Sequence, residues 1–240
     1  RGRRPPRGHR TGSIGNMPGD ENRPFLDAGE PEIIISTYYN DIVSDHVRTN
    51  GLATRTVLDD LRRTGSVDPS LPGNRTVPGF PGGAQIVMAA WWPAAANEMT
   101  PFPVWDAQGN SPSALGNNYL GWRRLVAVRL TGDDKPGSRG SVDFLGRNFC
   151  NVAVVAARDV RHIRLSAADA DAMSRDPAKR KAAIIAMGRP LRHGDLLLLA
   201  GFHMATKRDG KWTWATFWWH DRAGAGDFSA NRPPDSPPFL

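Results

Sequence analysis

The chain has 240 residues, of which 40% are hydrophobic and 23% are charged. This composition is typical of a globular protein and excludes a fibrous or wholly disordered chain, and the length suits one large domain or two small ones. No apolar run reaches the roughly 18–20 residues that a membrane-spanning helix needs. The single cysteine, Cys150, excludes an internal disulfide and an all-cysteine metal site.

The net charge of +7 is concentrated near the start of the sequence. Residues 1–26 contain six arginines against Asp20 and Glu21, which leaves +4 there and only +3 over the other residues. This arm is rich in Arg, Pro and Gly, so we expect it to be extended, disordered or bound to a protein partner. We expect no nucleic-acid contact from the nearly balanced body. Because the chain begins at Arg1 rather than Met, we also expect an upstream segment.

The first third of the body predicts two helices and one strand. A β-branched run at residues 33–35 is followed by Ser36 or Thr37, either of which can cap a helix that runs to residue 49. A second helix is predicted over residues 54–63. Residues 84–92 are apolar apart from Gln85 and leave no polar face, which indicates a buried strand that ends at Pro93.

The middle of the chain predicts further strands and then a broken helix. Residues 125–130 and 152–157 have the composition of strands, and no periodicity indicates an element over residues 93–121. A helix is predicted to begin at Ser166, to break at Asp176-Pro177 and to end before Gly188.

The C-terminal part of the body predicts a β-hairpin over residues 196–207 and 211–219. Asp209-Gly210 lies between these runs, and both positions of a two-residue hairpin turn need positive φ. The element order therefore predicts a single α+β domain over residues 27–225, with two N-terminal helices and a mainly antiparallel sheet that ends in the C-terminal hairpin. Residues 226–240 form a Pro-rich tail.

The register of this hairpin predicts two chemically different faces, because side chains alternate along a strand. The residues expected mostly in the core are Phe202, Met204, Thr206, Thr213, Ala215, Phe217 and Trp219. The residues expected on the other face, as candidates for a ligand site, are His203, Lys207, Trp212, Trp214, Thr216, Trp218 and His220. A slip of one residue in register would exchange the two faces.

The second face combines aromatic plates with groups that can act on a ligand. Trp212, Trp214 and Trp218 offer flat surfaces for sugar rings or bases, with His220 as a further contact. His203, Lys207 and Thr216 are the candidate catalytic residues: His203 as general acid–base, and Lys207 to stabilise an oxyanion. The alternative is structural: the tryptophans form a second core layer, and His203 and Thr216 satisfy each other by a hydrogen bond.

Other polar groups give weaker signals. Asp41 and Asp45 lie one helical turn apart next to His46, a spacing that can hold a metal but is more often a solvated helix surface, so we predict no metal site. His193 and Asp195 are expected to form a polar turn before the hairpin. No phosphate-binding glycine loop or zinc-protease motif is present, and we predict no cofactor.

The hairpin residues Gly201-Phe202-His203-Met204, Lys207 and Trp212-Thr213-Trp214-Ala215-Thr216-Phe217 resemble a group of exported bacterial proteins, some of which are labelled cytochrome c family. The resemblance touches about a third of the chain, and it extends to the segment from Tyr39 to Trp91. It implies a periplasmic or secreted location. The chain departs from the pattern at Thr206, where a second His is expected, and at Trp218, where an acid is expected. Its lone Cys150 offers no haem attachment motif.

Three functions remain open from the sequence. The first is an exported domain that binds an extracellular small molecule or glycan, hydroxyl-rich or anionic, on the hairpin face. The second is a hydrolase-like enzyme with His203 as general acid–base. The third is a structural subunit of a larger assembly that makes its contacts through the arm, residues 1–26, and the Pro-rich tail.

Overall fold

The computed structural model describes residues 33–64, 77–104, 124–130, 137–144 and 147–222. The predicted arm and tail lie outside these residues. Within them the strands are β1 (Ile34–Tyr39), β2 (Gln85–Ala94), β3 (Thr100–Val104), β4 (Arg124–Arg129), β5 (Arg139–Phe144), β6 (Arg147–Ala156), β7 (His162–Arg164), β8 (Leu196–Arg208) and β9 (Lys211–Trp218). The helices are α1 (Asp41–Thr49), α2 (Arg55–Thr64), α3 (Ala167–Arg175) and α4 (Pro177–Met187).

The strands form two sheets, and the α+β class is confirmed. One sheet has the order β1-β2-β8-β7, with β9 paired to β8, and the other has the order β3-β4-β6-β5. The β3·β4 and β5·β6 pairs are antiparallel, whereas β4 and β6 are parallel. The β structure is therefore divided between two sheets, one of which is mixed.

The first helix begins later than the sequence predicts. The β-branched run at its start continues as β1 up to Tyr39, and the N-cap is Asn40, whose side chain accepts a hydrogen bond from the backbone N–H of Val43. Strand β2 also runs past Pro93 to Ala94. A proline lacks only its N–H donor, so a strand can continue through it where that position needs no ladder bond.

The α3–α4 break follows the sequence prediction closely. Ser166 caps α3 by accepting a hydrogen bond from the N–H of Asp169, and Asp176 caps α4 in the same way through Ala178 and Lys179. Pro177 at the first turn of α4 has no N–H to satisfy there, and Gly188 ends α4 with φ of 71°. No helix among the described residues is long and apolar enough to cross a membrane.

The contacts divide the chain into two compact units. Unit 1 is built from the described residues within Arg1–Ile35, Ala90–Gly201 and Trp218–Leu240, and unit 2 from those within Ser36–Ala89 and Phe202–Phe217. Unit 1 contains a large apolar core formed by residues of β2, β3, β4, β5, β8 and α4, with Trp92, Phe102 and Phe144 as its largest members. The extent of a single α+β domain over residues 27–225 stays a prediction.

Unit 2 has a much smaller buried interior. Its fully buried apolar side chains, among the described residues, are Val43, Ala84, Ala89 and Ala205. Four small side chains remove little apolar surface from water, so much of the apolar burial in unit 2 comes from half-buried side chains, both aliphatic and aromatic. The half-buried phenylalanine and tryptophan residues lie in or beside the hairpin.

Candidate functional site

The hairpin forms with the predicted register. Asp209 and Gly210 both have positive φ, 50° and 75°, as a type I′ turn requires. Three cross-strand contacts match a two-residue loop at these positions. His203 Nδ1 lies 2.8 Å from Thr216 Oγ1, Lys207 Nζ lies 5.6 Å from the centroid of the Trp212 ring, and the rings of Phe202 and Phe217 stack at 4.7 Å.

Backbone hydrogen bonds fix Lys207 on both sides. Its N–H donates to the carbonyl of Ala84 at 2.8 Å, and its own carbonyl accepts from the N–H of Gly83 at 2.8 Å. Gly83 has φ of 83°, a conformation that favours glycine, and a Cβ added there would lie 3.1 Å from Ile42 Cδ1. The backbone of Lys207 is thus held by the Gly83-Ala84 segment, beside which Ile42 of α1 lies.

Four rings of unit 2 form a continuous row, which we call the aromatic row: His46, Phe80, Trp212 and Trp214. The ring centroids of Trp214 and Trp212 are 6.4 Å apart, those of Trp212 and Phe80 are 5.7 Å apart, and those of Phe80 and His46 are 4.4 Å apart. Tilted and edge-on contacts at these distances are favourable for aromatic pairs. The row ties α1 and the segment before β2 to the hairpin.

His46 has a structural role in this row. Its Nε2 lies 3.0 Å from the carbonyl oxygen of Pro78, which can only accept, so Nε2 carries the proton and donates. Its Nδ1 then accepts from the side-chain amide of Asn50 at 3.3 Å. Both ring nitrogens are satisfied within the protein, and Asp45 forms an ion pair with Arg48. Among the described residues, no three His, Cys, Asp or Glu side chains cluster as metal ligands.

Exposure increases along the row towards its hairpin end. Phe80 and Trp212 are half-buried, whereas Trp214 is 73% exposed and lies opposite Ala205, which is buried. Thr216 is exposed and His203 is half-buried. The two hairpin faces therefore do not divide cleanly into core and surface: on the predicted core face Trp219 is buried, Thr213 is exposed and the other residues are half-buried. Trp214 presents its ring to solvent from a structurally anchored position.

The three candidate catalytic residues do not form one centre. His203 and Thr216 are in hydrogen-bond contact. Lys207 lies four residues from His203 on the same strand, which at about 3.3 Å per residue separates their Cα atoms by roughly 13 Å. Lys207 instead lies over the ring of Trp212, which in turn contacts Trp214. The hairpin face thus has a His–Thr pair at one end, a cation–aromatic pair at the turn end and Trp214 between them.

The remaining two candidate residues belong to unit 1. Trp218 is exposed, and His220 is half-buried with its Nδ1 accepting a hydrogen bond from the backbone N–H of Arg222 at 2.9 Å. That bond engages the His220 ring in the turn that follows β9.

Unit 1 contains a buried carboxylate, Asp195, and the sequence reveals neither its burial nor its ion pair. It is 1% exposed, and its carboxylate receives two hydrogen bonds from the Arg189 guanidinium, at 2.6 and 2.9 Å. The backbone N–H groups of Arg192 and Ala96 donate to it as well. Burial raises the pKa of Asp195, but the hydrogen bonds and the charge of Arg189 outweigh it, so the pKa lies below its usual value. This arrangement holds the start of β8.

Sequence reasoning missed Phe80 and did not predict its contact with His46. The segment from Pro78 to Gly83 contains one large apolar side chain among prolines and glycines. A lone aromatic residue in such a segment is a signal that the loop packs by that ring, and this signal could have identified Phe80.

Comparison of the chain with protein-family models, with curated proteins and with solved structures found no significant match.

Proposed function

We propose that the hairpin face of unit 2 binds an extracellular, hydroxyl-rich or anionic ligand of the glycan class. The binding residues are Trp214 as the stacking plate, Lys207 and Trp212 at the turn end, and His203 and Thr216 at the far end. The observation that carries the proposal is the 73% exposure of Trp214 at the end of an anchored row.

The physical case combines exposure with fixed position. A single exposed apolar residue is ordinary on a protein surface. Trp214 differs because its neighbour Trp212 holds it from one side and polar groups flank it, so a ligand would meet a plate that needs little reordering. The faces of sugar rings are apolar and their edges carry hydroxyls, which matches a tryptophan between Thr216 and Lys207.

The test is titration calorimetry of the full chain against a panel of soluble neutral and acidic oligosaccharides. We expect at least one of them to bind the protein and Trp214→Ala to abolish that binding. The matched control is Tyr38→Ala, which removes an exposed ring on β1 of the same unit, outside the aromatic row. Equal binding by Trp214→Ala and the parent, or no binding across the panel, would contradict the proposal.

A second candidate function is hydrolysis at the His203–Thr216 pair. The 2.8 Å contact is the distance at which a histidine can take a proton from a hydroxyl. Lys207 lies too far along β8 to serve the same reacting atom, so this enzyme would need its oxyanion stabilised by other groups. A rate loss of about 10²–10⁴ for His203→Ala on any hydrolysed substrate is the expected result, and an unchanged rate would eliminate the candidate.

The location is part of the same proposal. Export to the periplasm or beyond rests on the resemblance of the hairpin residues to exported bacterial proteins. Expression of the natural gene in its host, followed by fractionation, tests this, and recovery of the protein only with cytosolic markers would contradict it. The third possibility, an assembly subunit, depends on the arm and the tail, which lie outside the described residues.

A further inference from the structure

The turn end of the hairpin is cationic. Residues 207–211 contain Lys207, Arg208 and Lys211 against Asp209, a net charge of +2. Arg208 and Asp209 are both exposed and their charged atoms are 3.8 Å apart, a surface pair that contributes little. Among the described side chains, neither Lys207 nor Lys211 forms an ion pair with a carboxylate. The positive charge at this end is therefore not neutralised by a described acid.

This charge lies next to the stacking surface and is held in place. Lys207 Nζ lies 5.6 Å from the Trp212 ring centroid, and the Lys207 backbone is bonded on both sides to residues 83 and 84. Trp212 in turn contacts Trp214. A ligand stacked on Trp214 would place any anionic substituent on its turn side within reach of Lys207.

We infer that the ligand of the hairpin face is an acidic polysaccharide, whose rings stack on Trp214 and whose carboxylate or sulfate groups meet Lys207. This inference rests on the proposed function. It adds that the ligand is a charged polymer, because the hairpin face extends for roughly 13 Å from Lys207 to His203 and offers a cation at one end and hydroxyl-binding groups at the other. A single small anion would use only the turn end.

The composition of the site favours a polysaccharide over a single-stranded nucleic acid. Arginine outnumbers lysine 26 to 5 in the chain, yet the cation that lies over the Trp212 ring is Lys207. Arginine is the residue that stacks on bases and grips phosphate with a planar fork, whereas lysine is a point charge without that geometry. Thr216 and His203 also suit sugar hydroxyls, and a net charge of +2 is small for a phosphate-binding track.

The experiment compares three probes on the full chain by titration calorimetry: a short linear oligouronate, the same oligosaccharide with its carboxylates reduced to alcohols, and an oligothymidylate of similar length. We expect the oligouronate to bind about tenfold or more tightly than its reduced form, as one strong charge-assisted contact would give. We also expect the oligothymidylate to bind more weakly than the oligouronate. Added salt should weaken oligouronate binding with a log–log slope of at most about two, because two net charges are engaged.

Point variants test which residue is responsible for the tighter binding of the charged oligosaccharide. Lys207→Gln should reduce oligouronate affinity towards that of the reduced form while leaving the reduced form's affinity unchanged. The comparison of charged and reduced oligosaccharides on the parent keeps the test valid if Lys207→Gln fails to fold. Lys211→Gln, an exposed position on the other face of the hairpin, should have a smaller effect than Lys207→Gln. Arg180→Gln, an exposed cation on α4 of unit 1, is the charge-matched control and should change nothing.

Each outcome separates this inference from the proposed function. Equal affinity for the charged and reduced oligosaccharides, with loss of both in Trp214→Ala, would overturn the acidic ligand and support the hairpin face as a binding site. Tighter binding of the oligothymidylate would overturn the inference in favour of a nucleic acid. Binding of no oligosaccharide would overturn both.

Discussion

Asn40 and Gln85 are joined by two hydrogen bonds, because the backbone N–H of Asn40 donates to the Gln85 carbonyl and the Gln85 N–H donates to Asn40 Oδ1, both at 3.2 Å. The same Oδ1 accepts from Val43 N–H at the start of α1, and Asn40 Nδ2 donates to the Gly83 carbonyl at 2.8 Å. One side chain thus caps a helix and holds the segment that positions Lys207.

Replacing this side chain tests the connection. We expect Asn40→Ala to lower the free energy of unfolding by about 1–2 kcal/mol, since the cap and the bond to Gly83 are lost together. Asn40→Asp keeps an acceptor for Val43 but loses the donor to Gly83, so it should fall between Asn40→Ala and the parent. Urea denaturation measures all three, and a stability of Asn40→Ala equal to the parent would contradict the assigned role.

Two tryptophans five residues apart are expected to respond in opposite ways. Trp214 is 73% exposed, so Trp214→Ala should change the free energy of unfolding by no more than about 0.5 kcal/mol. Trp219 is 7% exposed and its ring centroid lies 4.9 Å from that of Phe102, so Trp219→Ala should cost about 3–5 kcal/mol. Thermal and urea unfolding measure the difference. A large loss of stability in Trp214→Ala would show that Trp214 is part of the core.

The far end of the hairpin face has its own test. Thr216→Val keeps the shape of the side chain and removes the hydroxyl, so the loss of one ligand hydrogen bond should weaken oligosaccharide binding by about two- to tenfold. The free energy of unfolding should fall by no more than about 1 kcal/mol, because the hydroxyl also bonds His203 but does so at an exposed position. An affinity equal to that of the parent would exclude Thr216 from the ligand contact.

The buried Asp195 predicts a dependence of stability on pH. Its pKa is lower in the folded protein than in the unfolded chain, where it is about 3.9, so the unfolded chain binds the proton more readily. The stabilisation is therefore fully present above about pH 5, and it is lost as the pH falls through the unfolded and then the folded pKa. Unfolding measured from pH 7 to pH 2 in the parent and in Asp195→Asn should show this acid loss in the parent and a smaller one in the variant.

The same variant has an effect at neutral pH. Asp195→Asn should cost about 3–5 kcal/mol, because it leaves the partly buried Arg189 without its anion. Asp45→Asn is the control, since Asp45 forms an exposed pair with Arg48 and should lose less than about 1 kcal/mol. Equal losses for the two variants would contradict the distinction between them.

The turn of the hairpin can be tested with two matched glycines. A Cβ added at Gly210 or at Gly79 would meet no atom within 4 Å, but only Gly210 has a positive φ, of 75°. Gly210→Ala should therefore cost about 1–2 kcal/mol through backbone strain, while Gly79→Ala should be neutral or slightly stabilising. Equal effects in urea denaturation would show that the turn tolerates an ordinary residue.

The parts of the fold that follow from local chemistry could be predicted from the sequence. The Asp209-Gly210 turn, the Ser166 cap and the Asp176-Pro177 break each depend on residues adjacent in the chain, and the structure has all three. Strand β3 could not be predicted, because Pro101 and Pro103 suppress the usual strand signal and its pairing with β4 depends on residues far along the chain.

The contacts of the candidate site could be predicted where they lie within the β8–β9 hairpin, but not where they join the hairpin to another segment. The register of the hairpin gives the contacts of His203 with Thr216 and of Lys207 with Trp212. The contact of Trp212 with Phe80 joins residues more than a hundred positions apart, and no local pattern encodes such a distance. The hydrogen bond from the Ala96 N–H to Asp195 could not be predicted for the same reason, since the two residues are 99 positions apart.

Unit 2 is discontinuous in sequence, since residues 90–201 separate its two segments. A chain emerging from the ribosome, N-terminus first, presents His46 and Phe80 long before Trp212 and Trp214 exist. The aromatic row can therefore close only as one of the last events of biosynthesis. Nascent chains that end before residue 212 would lack the tryptophan partner of Phe80, whereas chains that extend just beyond residue 217 would contain both segments of unit 2.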